Sequence, residues 1–419
     1  MKKYSLTIAL LLVLSPLHLL SPVRSNAGEP LSLKALIEEA KENNPALKAL
    51  REKMKAAEAK TGVEGRLDDP TLGIEMMDLD KNRPLNISPG DSMLTRYTLS
   101  QMFPFPGKLP LKEKMAVKEV GMAEAELRAK ELEVISMVKE AYFDYASLVE
   151  SLRIMEEIKD VLSQTSAAAG ARYQTGHAPQ HDVIRVQVEA SMLINEIITL
   201  NMEKDISAAR LKEVLGSPQD APLTEPKGLD KETIAFRTDE LINKAVEKNP
   251  EIRMLAYEAE REELGVLLAK KDYYPDFMVG VAPVERDGRF DAFDIMFQMN
   301  IPIWRDKYRS RTKGAEADAG ITRWRLKSAK NLKGFEVKEA ALKVDSEART
   351  ITLFETGLIP QTELAFESAL KNYQSGNIDF LTLLDAEREL KKTRLEYIGT
   401  IAEYRKRVAA LEKAVGEDF

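Results

Sequence analysis

From Phe293 to Ile301 every second residue is apolar, with Phe293, Ile295, Phe297, Met299 and Ile301 set against Asp294, Met296, Gln298 and Asn300. A period of two places the large apolar side chains on one face of a strand. The alternation recurs at Leu72, Ile74 and Met76, at Met93, Thr95, Tyr97 and Leu99, and at Phe277, Val279 and Val281. Four strands are predicted, at about 70–79, 92–104, 275–285 and 291–302. Their length of roughly 9 to 11 residues suits a tilted strand crossing a bilayer. It also suits half-buried hairpins of a soluble sheet.

Elsewhere the apolar positions step by three and four. Val134, Val138, Ala141, Tyr145, Leu148, Leu152 and Met155 make one seam, and Val183, Val186, Ala190, Leu193, Ile197 and Leu200 another. Such seams build coiled coils. The turn between them, "YQTGHAPQHDV" (173–183), therefore predicts an antiparallel helical hairpin with its corner at 173–181. Gly176 fits the left-handed position that ends a helix, and Pro179 restarts the chain. The one interior proline between Lys108 and Tyr173 is Pro110, near the start. A helix of about 65 residues would span about 100 Å. "YQSGNIDFLTL" (373–383) repeats the corner at 373–381 with Gly376 and Asp379. The helix leading to it contains Gly357 and Pro360 and is expected to break or kink there.

The corner belongs to a wider duplication, and internal repeats govern the fold. "LIEEAKENNPALKAL" (36–50) answers to "LINKAVEKNPEIRML" (241–255), "DDPTLGIEM" (68–76) to "YYPDFMVGV" (273–281), "QMFPF" (101–105) to "MNIPI" (299–303), and "LKEVLG" (211–216) to "LEKAVG" (411–416). The repeats are 28–216 and 229–419, joined by a proline-rich linker at 217–228.

At 419 residues, 44% hydrophobic and 31% charged, the chain can bury substantial cores. Residues 1–27 run from Lys2 and Lys3 through "YSLTIALLLVLSPLHLL" to "SNA", the order of a secretory signal peptide. Its removal takes away Lys2, Lys3 and Arg24 and no acid, moving the net charge from −7 to −10. An acidic exported chain is a poor partner for nucleic acid. The absence of cysteine excludes disulfides, thiolate metal sites, a thiol nucleophile and a lipidated N-terminal cysteine.

Candidate chemistry is sparse. His177 and His181 lie four apart beside Asp182, a spacing that can hold a metal on a helix face, but Pro179 interrupts the turn. A polar tip is expected there and no metal site is assigned. The strand methionines read as adaptable apolar filling. No catalytic residue, nucleophile elbow, phosphate loop or cofactor site is found, so the chain is not expected to be an enzyme. Two classes remain: a membrane channel, and a periplasmic coiled-coil adaptor or scaffold without a membrane barrel. Four strands are too few for a roomy closed barrel, and lipid tolerates no open edge, so a channel needs several chains.

The tandem repeat, the strand hairpins between long helices, and the segments "YQTGHAPQHDV", "YQSGNIDFLTLLDAEREL" and "IPQTELA" resemble the TolC-like outer-membrane efflux family over nearly the whole mature chain. The compact length is most similar to its heavy-metal efflux branch. The resemblance implies a mainly α fold with a small β part. Long antiparallel coiled-coil hairpins would form a periplasmic α-barrel, and four strands per chain would join a trimeric 12-stranded transmembrane β-barrel. It implies a homotrimer seated in outer-membrane lipid and reaching into the periplasm. Its role would be the passive duct of a tripartite efflux system, served by a periplasmic adaptor and an inner-membrane pump. Small substrates, metal ions or drugs among them, would pass through it. By the same resemblance the corners, with Tyr173, Gly176, Tyr373 and Gly376, dock the adaptor. The entrance constriction falls on Asp385 and Thr382, and a ring of three Asp385 carboxylates would attract cations. Tyr373 and Asp182 match positions that link neighbouring hairpins in the closed state through a phenol to carboxylate hydrogen bond. No basic partner for that link is evident near the corner.

Overall fold

The computed structural model describes residues 31–79, 92–229, 233–286 and 288–418, and the signal peptide expected at 1–27 lies outside them. The chain runs twice through one series of elements. The first pass is α1 (Leu33–Asn43), α2 (Pro45–Glu64), β1 (Thr71–Leu79), β2 (Ser92–Phe103), α3 (Lys108–Gln174) and α4 (Gln180–Leu215). The second is α5 (Thr238–Lys248), α6 (Pro250–Lys271), β3 (Phe277–Arg286), β4 (Arg289–Met299), α7 (Arg305–Leu353), one π-helical turn (Phe354–Leu358), α8 (Ile359–Ser375) and α9 (Phe380–Val415).

The duplicated Asn-Pro and Val-Leu-Gly or Ala-Val-Gly positions meet in space. Asn44 Oδ1 accepts from the amides of Ala46 (2.9 Å) and Leu47 (3.4 Å), while its Nδ2 donates to the Val214 carbonyl at 3.2 Å. Asn249 does the same, accepting from the Glu251 amide at 2.9 Å and donating to the Ala414 carbonyl at 2.9 Å. One side chain thus caps the start of α2 or α6 and also satisfies an orphan carbonyl at the end of α4 or α9. The proline that follows lacks only an N–H that the first helical turn leaves unused. Gly216 and Gly416 end α4 and α9 with φ of +71° and +96°. A Cβ there would come within 3.2 Å of the Asn43 carbonyl oxygen and 3.0 Å of Asn249 Cα, so both conformation and space require glycine. Leu47, Leu211 and Leu215 are buried around the first joint, and Ala245, Leu411 and Val415 around the second.

At 67 residues α3 is about 100 Å long. It buries Val134, Val138, Ala141, Tyr145 and Met155, and α4 buries Val186 and Leu193, so the two seams meet in a hairpin. The break expected at Gly357 and Pro360 is a widening instead. Pro360 sits in the first turn of α8, and the π turn before it absorbs the missing N–H and the clash of the ring with the preceding turn. The turn is pinned to α9: the Tyr397 hydroxyl donates to Glu355 Oε1 at 2.5 Å, and the Phe354 and Tyr397 rings lie 5.9 Å apart.

The strands form one antiparallel sheet in the order β1-β2-β3-β4, so the two repeats join through the β2 and β3 pair. A register shift interrupts β3 between Val284 and Glu285. Among the described residues β1 and β4 have no outer partner. No helix among them is long and apolar enough to cross a membrane.

Candidate functional site

The sheet carries its large apolar side chains bare. Leu72, Ile74, Leu99, Val279, Phe293, Ile295 and Phe297 are all exposed. Burying one such side chain is worth roughly 1.5–3 kcal/mol, so a row of them calls for an apolar neighbour. The opposite face is polar and close-packed. Arg96 lies 2.9 Å from Glu75 Oε2 and 3.0 Å from Asp294 Oδ2, and the Thr71 and Ser100 hydroxyls are 2.8 Å apart. Gly280 keeps that face close-packed: a Cβ would meet Met296 Cε at 2.9 Å and Ser100 Cβ at 3.2 Å, so a larger residue would make the flexible Met296 side chain shift.

At the far end of the long helices lie the two corners, with matching backbones. Gly176 (φ +76°) and Gly376 (φ +83°) take the left-handed position. The His177 amide donates to the Arg172 carbonyl at 2.8 Å, and the Asn377 amide to the Asn372 carbonyl at 2.9 Å. Each pair closes a helix end with the same long-range loop. After the second corner Asp379 caps α9: Oδ1 accepts from the Thr382 amide at 3.0 Å and from its hydroxyl at 2.6 Å. Those bonds hold the Asp379 carboxyl below its usual pKa. Thr382 is thereby tied into the capped first turn of α9, and Asp385, one turn on, is exposed with Arg388 at 3.9 Å.

Side chains then separate the corners. Tyr173 is 45% exposed and Tyr373 1%. The Tyr373 ring packs edge-on to Phe380 with centroids 5.6 Å apart, and the Arg172 guanidinium lies 4.7 Å from its centroid. Arg172 also donates to the Tyr373 carbonyl and, at 3.1 Å, to the His177 carbonyl, so it bridges both corners. The sequence did not reveal this basic neighbour of Tyr373. Asp182 is buried nearby, yet the expected hydrogen bond is not made within the chain: the Tyr373 hydroxyl has no hydrogen-bond partner among the described residues. Asp182 Oδ1 instead lies 3.1 Å from His181 Nε2. Burial, aided by the Asp182 charge, pushes the Tyr373 phenol above its usual pKa, against the pull of Arg172. His177 Nδ1 lies 3.1 Å from the Thr175 hydroxyl. Among the described residues no group of three or more His, Cys, Asp or Glu side chains could hold a metal ion.

Below the corner α4 and α9 are laced by charge. Glu189 takes Arg388 in two bonds, at 2.6 and 3.1 Å, and Glu196 takes Lys391 at 2.9 and 3.2 Å. Glu387 is buried between these pairs, and its Oε2 has no partner among the described residues. Burial raises its pKa from 4.5 to about 7, with Glu189 and Glu196 adding and Lys391 and Arg388 opposing. Glu387 was visible in principle, because it stands where the apolar steps from Leu383 to Leu390 should continue, whereas Glu189 lies beside the seam residue Ala190.

The comparisons agree with this geometry. A chain 22% identical over 398 residues, covering 93% of this one and 91% of its own length, is the "Cobalt-zinc-cadmium resistance protein CzcC" of Cupriavidus metallidurans. The "Solvent efflux pump outer membrane protein SrpC" of Pseudomonas putida is 22% identical over 413 residues, 92% of this chain and 85% of that one. Among solved structures, the outer-membrane channel OprN matches with a TM-score of 0.79 at 18% identity, over 92% of this chain and 89% of that chain. CusC, described by its transmembrane channel formation, matches at 0.79 and 19% identity over 92% of each. The Outer membrane efflux protein family matches residues 36–217 and 241–417, the two repeats. This chain therefore belongs to the Outer membrane efflux protein family, and it is an efflux component of the outer membrane that extends into the periplasm.

Proposed function

We propose that three copies of this chain close into one duct, each giving its four strands to a twelve-stranded barrel in the outer membrane and its helices to a tunnel in the periplasm. The carrying observation is the sheet: among the described residues β1 and β4 are unpaired edges flanking a bare apolar face. Lipid would cover that face, but it cannot satisfy an edge, whose amides and carbonyls each cost several kcal/mol unpaired. A neighbouring copy can, by laying its β1 on β4.

The helices support the same closure. α4 packs on α3, α3 on α9 and α9 on α7, which leaves α4 and α7 at the margins. Both margins are apolar and exposed, at Ile184, Val188, Met192 and Ile198 on α4 and at Ile321, Trp324, Leu332 and Phe335 on α7. A head-to-tail ring sets one margin against the other. The duct is passive. A pump and a periplasmic adaptor deliver small substrates, the adaptor meeting the corners around Tyr173, Gly176, Tyr373 and Gly376. Asp385 and Thr382 line the entrance, and closing it would bring the unpaired Tyr373 hydroxyl to Asp182. Metal ions are the favoured cargo, given likeness along nearly all of a cobalt, zinc and cadmium resistance protein.

Light scattering of the full chain purified in mild detergent tests the assembly. A protein mass of three copies is expected. A monomer that stays in solution without detergent overturns the reading.

A further inference from the structure

Where the strands meet the long helices, aromatic rings and unneutralised cations are gathered. Phe105, just past β2, stacks on Tyr274, just before β3, with centroids 4.4 Å apart and planes 14° from parallel. The Lys271 ammonium lies 5.4 Å from the first ring and 6.0 Å from the second. The Arg305 guanidinium lies 5.9 Å from the Tyr273 ring. Beside them opens a groove of about 550 Å³ whose lining includes Lys270, Tyr273, Tyr274, Met299, Ile301 and Arg305. Through Lys270 and Tyr274 it continues into a second, of about 490 Å³, between α3 and α6, where Lys271 and Lys114 stand. Met299 and Ile301 continue the odd-numbered row of Phe293, Ile295 and Phe297, so the groove opens on the bare apolar side of the sheet.

Charge sets this place apart. Neighbouring Lys108 is neutralised by Asp272 at 3.1 Å and Asp276 at 3.0 Å, and Arg311 by Asp272 at 2.9 Å. Lys271 and Arg305 have no carboxylate partner among the described residues, and the Glu316 beside Lys270 is 3.7 Å away on the open surface. In a chain of net charge −7 such a cluster is not a matter of general composition. Cations with rings beneath them and an apolar wall alongside suit a group that is anionic at one end and oily at the other. Aromatic and basic side chains at the rim of a membrane barrel occupy the headgroup level.

We propose that this groove binds an anionic phospholipid of the periplasmic leaflet, with the headgroup phosphate held by Lys270, Lys271 and Arg305 and the acyl chains lying along Met299 and Ile301. The proposal rests on the reading that the apolar face of the sheet meets lipid.

The test is native mass spectrometry of the detergent-purified full chain with phosphatidylglycerol, phosphatidylcholine or inorganic phosphate, run beside reconstitution into phosphatidylcholine vesicles. Preferential retention of phosphatidylglycerol is expected. K271Q/R305Q should weaken it roughly tenfold or more, K271R/R305K should keep it, and the exposed pair K55Q/K159Q should leave it unchanged. Equal retention of the two lipids, no loss in K271Q/R305Q, or full competition by inorganic phosphate overturns the proposal. If those failures come with channels that conduct in phosphatidylcholine vesicles, the duct reading stands without it. Failure to insert into any vesicle overturns both.

Discussion

The two corners are one backbone with two fates. Each has a left-handed glycine, the same closing hydrogen bond and the same tyrosine three residues before the glycine. Yet Tyr173 faces solvent while Tyr373 is enclosed by Phe380 and Arg172. Duplication copied the fold of the turn and left its surroundings free to diverge. Arg172 of the first corner reaches the second, whereas the matching residue of the second, Asn372, bonds within its own helix to Ser368. The outcome is one corner free to be approached and one fastened.

Alanine at each tyrosine tests that contrast most strongly. Tyr373→Ala empties a closed aromatic site and should cost about 3–5 kcal/mol of stability. Tyr173→Ala should change stability by no more than about 0.5 kcal/mol while weakening capture of the periplasmic adaptor. Chemical denaturation and an adaptor pull-down read the two effects. Equal stability losses would erase the distinction between the corners.

The next effect is pH-dependent and belongs to the fastened side. Glu387 has a pKa of about 7 in the packed protein against 4.5 when free. Between those values the packed form keeps a proton that the unpacked form has released. The contribution is therefore fully present below about pH 4.5, declines as pH rises and is lost above about 7, a difference of about 3 kcal/mol. Glu387→Gln stays neutral throughout, so thermal midpoints from pH 5 to 8 should slope less in that variant than in the parent. Parallel curves would show that Glu387 is not the group responsible.

The smallest effect is expected at Asp385, which is exposed and screened. Asp385→Ala should leave stability unchanged and weaken block by multivalent cations in single-channel recordings. Block indistinguishable from the parent would remove Asp385 from the entrance.

What was legible in the sequence was local. Gly176 and Gly376 announce their turns because a left-handed φ excludes most other residues, and the alternation at Phe293–Ile301 announces a strand because the period is two. The repeated Asn-Pro pairs marked a matching position without revealing the bond to Val214 or Ala414. At Pro360 the strain was placed correctly but resolved as a wider turn, since a neighbouring helix holding Phe354 and Glu355 favours continuation over a break. Arg172 was illegible for a geometric reason. Its contact spans 201 residues, and a straight helix drifts about 20° per heptad from a 3.5-residue seam. Over 67 residues that drift, and the supercoil that offsets it, decide which side chain faces which at the tip.

The two asparagine joints carry a mechanical consequence. Asn44 and Asn249 rivet the tail of each repeat to its own beginning, partway between the sheet and the corners. A twist applied at the mouth meets these rivets before it can travel upward. In the proposed duct these joints would act like a stiff ferrule on a hose, separating the behaviour of the mouth from that of the bore.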